Sequence, residues 1–545
     1  MLFEYAYAAS SSVANAPGST GLSFSPDLKR EPVFFRGELA ASIPFREAIC
    51  ALHDVVVSDL RFKPKDRTEY LQWYEKQQWV DFEKVAGMSR KVAEEITTLR
   101  QELDEVNSRY HQRWQTYYAA QRKYFDYLYR HDKDAWYVLD PVITVHPDQL
   151  FFECFSDDES SYGCLAVDHD RFKSLGEYAC GTTNIDYSAA LYDEFSKIRS
   201  YKTTTFEVDP SGFAVETQNE DDYKEVKIDL PESWVRGFLQ VNAAMALDMT
   251  MIDLTPTDLH NILFYLRRHK ETKGPRSLRF LLDPGQPIRI LVEPWSYELV
   301  CDRSIYTGSS AQEIRIWGRR RLHQLERLLP IARKVTIGLL GTGLPSFYVV
   351  DLDGMTFTLG LSGWTANDWS QAGNFDLLAP RSDVDVLTSQ TVFKTLGDEW
   401  LMNPDAMARS LSLDRKQVLG ALGIYAQAGR VFYDMAKGVY RLRELSRDPL
   451  PIDQLRFSNP REEQAVEMVG AGKAAIKSAT KSARGDLNLA GTVQDRNHSF
   501  QVTLTIDNDE RLTEATCQCN FHQQNKLRKG PCEHILALRL AQKQA

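Results

Sequence analysis

The chain has 545 residues, 26% of them charged and 43% hydrophobic, and a net charge of −10. One core rarely serves more than about 250 to 300 residues, so several domains are expected. The apolar run Val335–Val350 is too short to span a bilayer and is cut by three glycines and a proline, so neither a membrane span nor a membrane partner is expected.

The N-terminal stretch carries Glu4 where a secretory signal needs positive charge, and it lacks a sustained apolar segment. A cytoplasmic protein with a disordered start over residues 1–35 is expected. From Phe45 to Phe82 the pattern is helical and aromatic, with Tyr70, Trp73, Tyr74 and Trp79. It leads into a stripe of Val92, Ile96, Leu99, Leu103, Val106, Tyr110, Tyr117 and Tyr124 at 4,3 spacing. Over Lys84 to Arg130 such a helix would extend roughly 70 Å at 1.5 Å per residue. It reads either as an antiparallel hairpin packed within the chain or as an intermolecular coiled coil.

Residues 136–230 carry short strand patterns such as ITVHPDQLFFECF and TTTFEVDPSGFAVE, each with a turn between extended runs. Residues 231–384 mix helices opening at Ser233 and Thr255-Pro256 with strands at Leu278–Leu282, Ile288–Val292, Val335, Phe347 and Met355–Leu361, and with a helix from Arg319 to Leu329. Gly338 to Ser346 is glycine-rich but lacks the Lys-Ser/Thr of a phosphate loop, so it reads as a tight turn. Asp351-Leu352-Asp353-Gly354 reads as a β-turn, and Asp383 with Asp385 is an isolated acid pair. With no H-E-x-x-H or G-x-S-x-G, no catalytic residue, small-molecule substrate or enzyme activity is expected. Arg319-Arg320-Arg321 with Trp295, Trp317, Trp364 and Trp369 fits either a groove for a nucleic acid or peptide, or a helix start beside core aromatics.

Near Asp385 a pattern begins of helix, turn, helix capped by Asp414, and a hairpin from RVFYD to VYRLR, with Lys437, Arg441 and Arg443 on or beside the hairpin. This order resembles the winged-helix domains of DNA-binding proteins. The second helix shows only Arg415, Lys416, Gln417 and Gln427 outward, so base reading, phosphate contact and a purely structural or protein-docking wing all stay open. After a linker comes a helix from Asn459-Pro460. Lys473, Lys477, Lys481 and Arg484 follow without an acid, as a phosphate-facing strip or a solvated face.

The last 145 residues hold 21 Lys and Arg against 16 Asp and Glu, which places any polyanion-binding surface at this end. Five of the eight cysteines are scattered as buried thiols are, but Cys517, Cys519 and Cys532 cluster, and in a reduced compartment clustering argues for metal. GDLNLAGTVQD and FQVTLTID alternate as paired strands, and a third segment ends in Cys517-Gln518-Cys519. Cysteines two apart on an extended chain point to one side. Pro531 sets Cys532 and His534 at a helix N-terminus, whose dipole favours thiolate. Three sulfurs and one imidazole close a tetrahedron, as structural zinc requires. His522 competes as a ligand, against a solvated loop residue as its plain reading.

The C-x-C, twelve residues, C-x-H spacing resembles the SWIM zinc finger, and the wider architecture is similar to bacterial SWIM proteins found near MoxR-type ATPases and von Willebrand A domain proteins. The resemblance implies one structural Zn2+ on Cys517, Cys519, Cys532 and His534, and a role in binding DNA or proteins. The expected chain is an α+β multidomain protein: a disordered N-terminus (1–35), a helical region with a long amphipathic helix (36–135), a β-rich region (136–230), a mixed α/β region (231–384), a winged-helix-like domain (385–447), a linker and helix (448–484), and a zinc-bound ββ(β)α finger (485–545). The expected function is non-catalytic binding of DNA or RNA, with phosphate contacts from Lys526, Arg528, Lys529, Lys437 and Arg441. The alternative is a scaffold for protein partners, such as a MoxR-type ATPase system.

Overall fold

The structure, a computed structural model, describes residues 12–15, 19–24, 33–58, 141–184, 203–208, 232–271, 276–363, 368–370, 374–380, 384–445, 460–482, 485–496 and 498–544, with single positions between 192 and 201. The long amphipathic helix, Trp364, Asp383 and Arg484 lie outside these residues.

The start of the chain departs from expectation. Ser12–Asn15 and Ser19–Phe24 are strands, and the second pairs in parallel with Thr203–Val208, which also joins Phe35–Leu39 in a five-stranded sheet. Their serines and glycine interrupt the apolar alternation that announces a strand, and the partner lies some 180 residues away. α1 (Ser42–Val56) then packs its apolar face on an eight-stranded antiparallel sheet, where the Leu52 and Val55 side chains sit over Gly163. Gln149–Phe155 and Ser161–Asp168 form the middle of that sheet with Met355–Leu361, Ser346–Asp351 and Lys334–Leu339. Almost every residue of the first two is buried, which explains why QLFFECF reads as a continuous apolar run. α2 (Glu232–Met245) sets Trp234 and Phe238 against Phe155.

α3 (Pro256–Arg268) starts as its sequence demands: the Thr255 hydroxyl oxygen accepts the Asp258 N–H at 3.2 Å, with proline in the first turn. It packs beside a four-stranded sheet ordered Tyr297–Ile305, Pro287–Val292, Leu278–Leu282, Gln312–Ile316, of which the first and last strands are additions to the sequence reading. Arg319–Leu325 is a 3-10 helix, and Gly338 to Ser346 is the hairpin turn expected. Asp351 to Gly354 is a turn as well: the Asp353 N–H donates to the Asp351 carboxylate at 3.0 Å, and Asp353 and Gly354 both have positive φ.

α4 (Val386–Glu399), α5 (Pro404–Leu411) and α6 (Arg415–Gln427) share a small core of Val392, Leu396, Met407, Val418 and Leu422. The hairpin Val431–Asp434 and Val439–Leu442, with Leu401–Met402, closes it as a three-stranded sheet. This hairpin does not stand out into solvent. Arg441, expected at a phosphate, is fully buried, and its guanidinium donates to Asp148 at 2.7 and 3.0 Å, to Asp434 at 2.9 Å and to Gln149 at 2.7 Å. Arg443 is buried too and forks onto Glu153 at 2.6 and 2.7 Å. Lys437 is exposed, but its ammonium lies 3.1 Å from both Asp148 and Asp168. The phosphate role expected for Arg441 is therefore corrected: carboxylates of the central sheet already neutralise it, and a buried cation cannot reach a phosphate.

Losing one partner of a buried ion pair strands the other charge, at a cost of about 3–5 kcal/mol. Arg443→Met should lower stability by about that amount in urea unfolding, whereas Lys473→Ala, exposed just before the edge strand, should stay within about 0.5 kcal/mol.

His146 provides a pH test of the same docking. Its Nε2–H donates to the Leu442 carbonyl at 2.7 Å, and burial, helped by the charge of Arg441, pushes the imidazole down to about 3. The unfolded chain protonates this ring near pH 6.5 while the folded chain does not, so stability should fall as pH drops from about 6.5 toward 3. His146→Phe should flatten that part of the stability profile in acid titrations followed by circular dichroism.

Candidate metal centre and finger surface

α7 (Pro460–Gly470) leads into a four-stranded antiparallel sheet ordered Ala474–Lys481, Leu487–Asp495, His498–Ile506, Leu512–Cys517. The two middle strands, paired as far as Asp495 with His498, are those the alternation announces, while Ala474–Lys481 is an added edge strand. Leu489, Val493, Val502, Leu504 and Ile506 face inward against α9 (Glu533–Gln544), which follows the short α8 (Asn520–Asn525) and a loop. Val502 pairs with Cys517, so the register carries this thiol to the inner face.

Ligand atoms of Cys517, Cys519, Cys532 and His534 all lie within 4.8 Å of one another, and all four residues are buried. Local backbone already favours thiolate: the Cys517 sulfur accepts the Cys519 N–H, and the Cys519 sulfur, capping α8, accepts the His522 N–H, each at 3.4 Å. Hydrogen bonds from Cys517 and then Cys532 hold the Cys519 thiol far down, while hydrogen bonds to Cys517 and Cys519, with burial, push Cys532 up. Burial would lower His534, but its sulfur neighbours outweigh burial and raise it to about 10. The four groups thus compete for protons in a dry site, and a divalent cation resolves the competition by holding all three sulfurs as thiolates. Among the described residues neither His534 ring nitrogen has a hydrogen-bond partner; Asp495 lies 3.7 Å from Nε2 and Glu533 3.4 Å from Nδ1. Whichever nitrogen takes the metal, the other faces a carboxylate that can orient the ring. The donor set fits zinc and is closed, leaving no position for an activated water.

Residues 500–543 match the SWIM zinc finger family. The C-terminal unit is accordingly a SWIM zinc finger whose buried cysteines and histidine suit one zinc ion. No curated protein matches the chain. Among solved structures, proliferating cellular nuclear antigen from Entamoeba histolytica is 11% identical with a TM-score of 0.28, over 42% of this chain and 90% of its own. Proliferating cellular nuclear antigen of A. fulgidus, solved with the C-terminal region of FEN-1, is 13% identical with a TM-score of 0.29 over the same shares. At these scores the likeness carries no structural argument.

His522 lies outside the ligand cluster and is buried, which corrects its reading as a solvated loop residue: it faces inward from α8. Of the loop cations, Lys526 is exposed and Lys529 half-buried. Arg528 is half-buried as well, with its guanidinium on the carbonyls of Asn525 and Gln524 at 3.1 and 3.2 Å and its stem filling the open side of Gly343. The finger sheet turns outward Ser478, Thr480, Asn488, Thr503, Thr505 and Thr516, which line a groove of about 520 Å³. Lys526 and Arg528 complete the lining, and Glu514 is the acid among the lining residues. Lys477 stands on the same outer face, 3.4 Å from Gln501, outside the lining of the groove.

Sequence reasoning missed Arg461. From the first turn of α7 it donates to the Pro531 and Lys529 carbonyls at 2.8 and 3.0 Å and lies over the Phe521 ring at 4.6 Å, fixing the loop that delivers Cys532. A cation at a helix N-terminus opposes the dipole, and that misfit was the available signal. Arg539 does the same for α9, donating to the carbonyls of Leu377, Ala379 and Glu510.

Metal analysis of the purified chain should give one zinc per molecule, and Cys532→Ser should lose it. Because the finger core is continuous with the main core, hydrogen exchange should quicken across residues 485–544 and also at 374–380, where Arg539 is anchored.

Proposed function

We propose that the chain is a non-catalytic nucleic-acid-binding protein in which zinc shapes the contact surface, and that this surface is the outer face of the finger sheet rather than the hairpin at Val431–Leu442. The observation that carries this reading is a groove on the outer face of the finger sheet whose lining mixes hydroxyl and amide groups with leucine and alanine side chains and includes Lys526 and Arg528, with Lys477 on the same face, exposed Lys481 on the edge strand and exposed Lys473 just before it. Ammonium groups and neutral donors together suit phosphate oxygens and carry no base information. Helices and hairpin in residues 385–445 follow a winged-helix-like order, but the hairpin cations Lys437, Arg441 and Arg443 are held by carboxylates of the central sheet, which suits a structural role for the hairpin. A second reading, a scaffold for protein partners, draws on the acidity of the first 400 residues and on lysines at a sheet edge, which also discourage strand pairing between chains.

Changing Lys477, Lys481 and Lys526 together to Ala should weaken binding of every DNA or RNA sequence by a similar factor. The slope of log affinity against log salt should fall by about 0.9 for each duplex phosphate that is no longer neutralised. Zinc content should not change, and the chain alone should not hydrolyse ATP. Wild-type protein that ignores nucleic acid at low salt, yet retains a protein partner after nuclease treatment, would favour the scaffold.

A further inference from the structure

Rings and cations interleave at the C-terminal end of α3, far along the chain from the finger. Tyr265 stacks on Tyr297 at 4.5 Å and 4° and on His269 at 4.0 Å and 16°. Trp295 meets the edge of this column, 6.2 Å from Tyr265 and 5.6 Å from His269. Around the same helix His260 stacks on Phe264 at 6.3 Å, and the Arg268 guanidinium covers the Phe264 ring at 5.0 Å. Phe264 and Tyr297 each remain 48% exposed. Contacts between residues four apart explain why His260, Phe264 and Arg268 touch. They do not explain why two large rings at one end of one helix stay in water.

Cations outnumber carboxylates around these rings, with Glu271, Glu298 and Glu326 standing among them. Arg267, Arg268, Lys270 and Arg320 are exposed at this end. Arg267 pairs with Glu326, and Arg320 donates to the Glu271 carbonyl at 3.2 Å. Among the described residues, Arg268 and Lys270 have no carboxylate within ion-pair distance. In a chain of net charge −10, a local excess of cations beside open ring faces marks a polyanion with flat groups to stack.

We infer that this face binds single-stranded nucleic acid, with unpaired bases on the exposed faces of His269 and Tyr297 and against the half-exposed Phe264 ring, from which Arg268 moves aside, and phosphates against Arg268, Lys270 and Arg320. A duplex keeps its bases stacked on each other and cannot offer them to side chains, so the rings select the unpaired strand. An acidic peptide would satisfy the cations but leave the rings without a flat partner. The inference rests on the nucleic-acid reading for the class of polymer, while its surface is separate from the finger groove.

The test uses the full chain, a fluorescein-labelled oligothymidylate and a duplex of equal length, read by anisotropy at low salt. The double change Phe264→Ala and Tyr297→Ala should weaken oligothymidylate binding tenfold or more, since stacking on one ring is worth about 5- to 150-fold, and should leave duplex binding unchanged. Arg268→Ala with Lys270→Ala should lower the salt slope by about 0.7 for each strand phosphate set free, and Phe264→Trp should retain affinity. Unchanged zinc content and melting temperature establish that the variants fold. If the triple lysine change in the finger abolishes duplex binding but spares the oligothymidylate, this face stands independently; if the finger change is inert while the ring change acts, it stands alone. Oligothymidylate affinity equal in wild type and in both variants overturns it, as does an absence of oligothymidylate binding in wild type, including where the rings instead retain an acidic peptide.

Discussion

Three sulfurs and an imidazole held within 4.8 Å in a dry pocket cannot all carry their preferred charge without a cation, and the C-terminal finger is arranged around that constraint. The strand register brings Cys517 inward, α8 turns Cys519 beside it, and the loop before α9 returns Cys532 and His534. Zinc therefore closes a circuit of chain that runs from the sheet through Lys526 and Arg528 and back to the sheet. The loop that carries these cations is the segment between the two ligand pairs, so the ion fixes the groove wall without touching it.

Desolvation decides which cations remain available to a partner. Arg441, Arg443, Arg461 and Arg539 each present a planar fork to buried carboxylates or to orphan carbonyls, a use that suits guanidinium better than ammonium. The exposed cations on and beside the finger are mostly lysines, namely Lys473, Lys477, Lys481 and Lys526, with Arg496 in the turn. This division explains why a count of positive residues overstates the basic surface: the arginines of the hairpin hold it to its own sheet.

The legibility of the sequence follows the range of each signal. The ligand set was readable because its spacing is local, and Thr255 and Asp414 announced their helices through adjacent residues. The strands Lys334–Leu339 and Met355–Leu361 were readable because apolar residues alternate with Thr and Gly along them, and Ser346–Asp351 because its apolar run is continuous. Tyr297–Ile305 was not, since it is an edge strand whose residues are mostly exposed. Nor were the burial of Arg441 and the role of Arg461, whose partners lie 293 and 70 residues away. Outward-facing polarity on the finger sheet could be inferred from the alternation, but the groove needed the hairpin at Thr342 and Leu344 as its opposite wall.

That opposite wall links the finger to the rest of the chain. Gly343, with positive φ, leaves a space that the Arg528 stem fills, and any Cβ there would meet that stem at 2.4 Å. Gly530, also at positive φ, lies against the Asn374 backbone, and the Leu512 N–H donates to the Leu378 carbonyl at 3.0 Å. Each contact leaves one side without room for a larger residue, so the finger loop is located by steric fit as well as by its ion. A zinc finger on a flexible tether would present its cations in many orientations; one seated in this way presents Lys526 at a fixed distance from Lys477, and a fixed spacing of charges is what matching the repeat of a phosphate backbone requires.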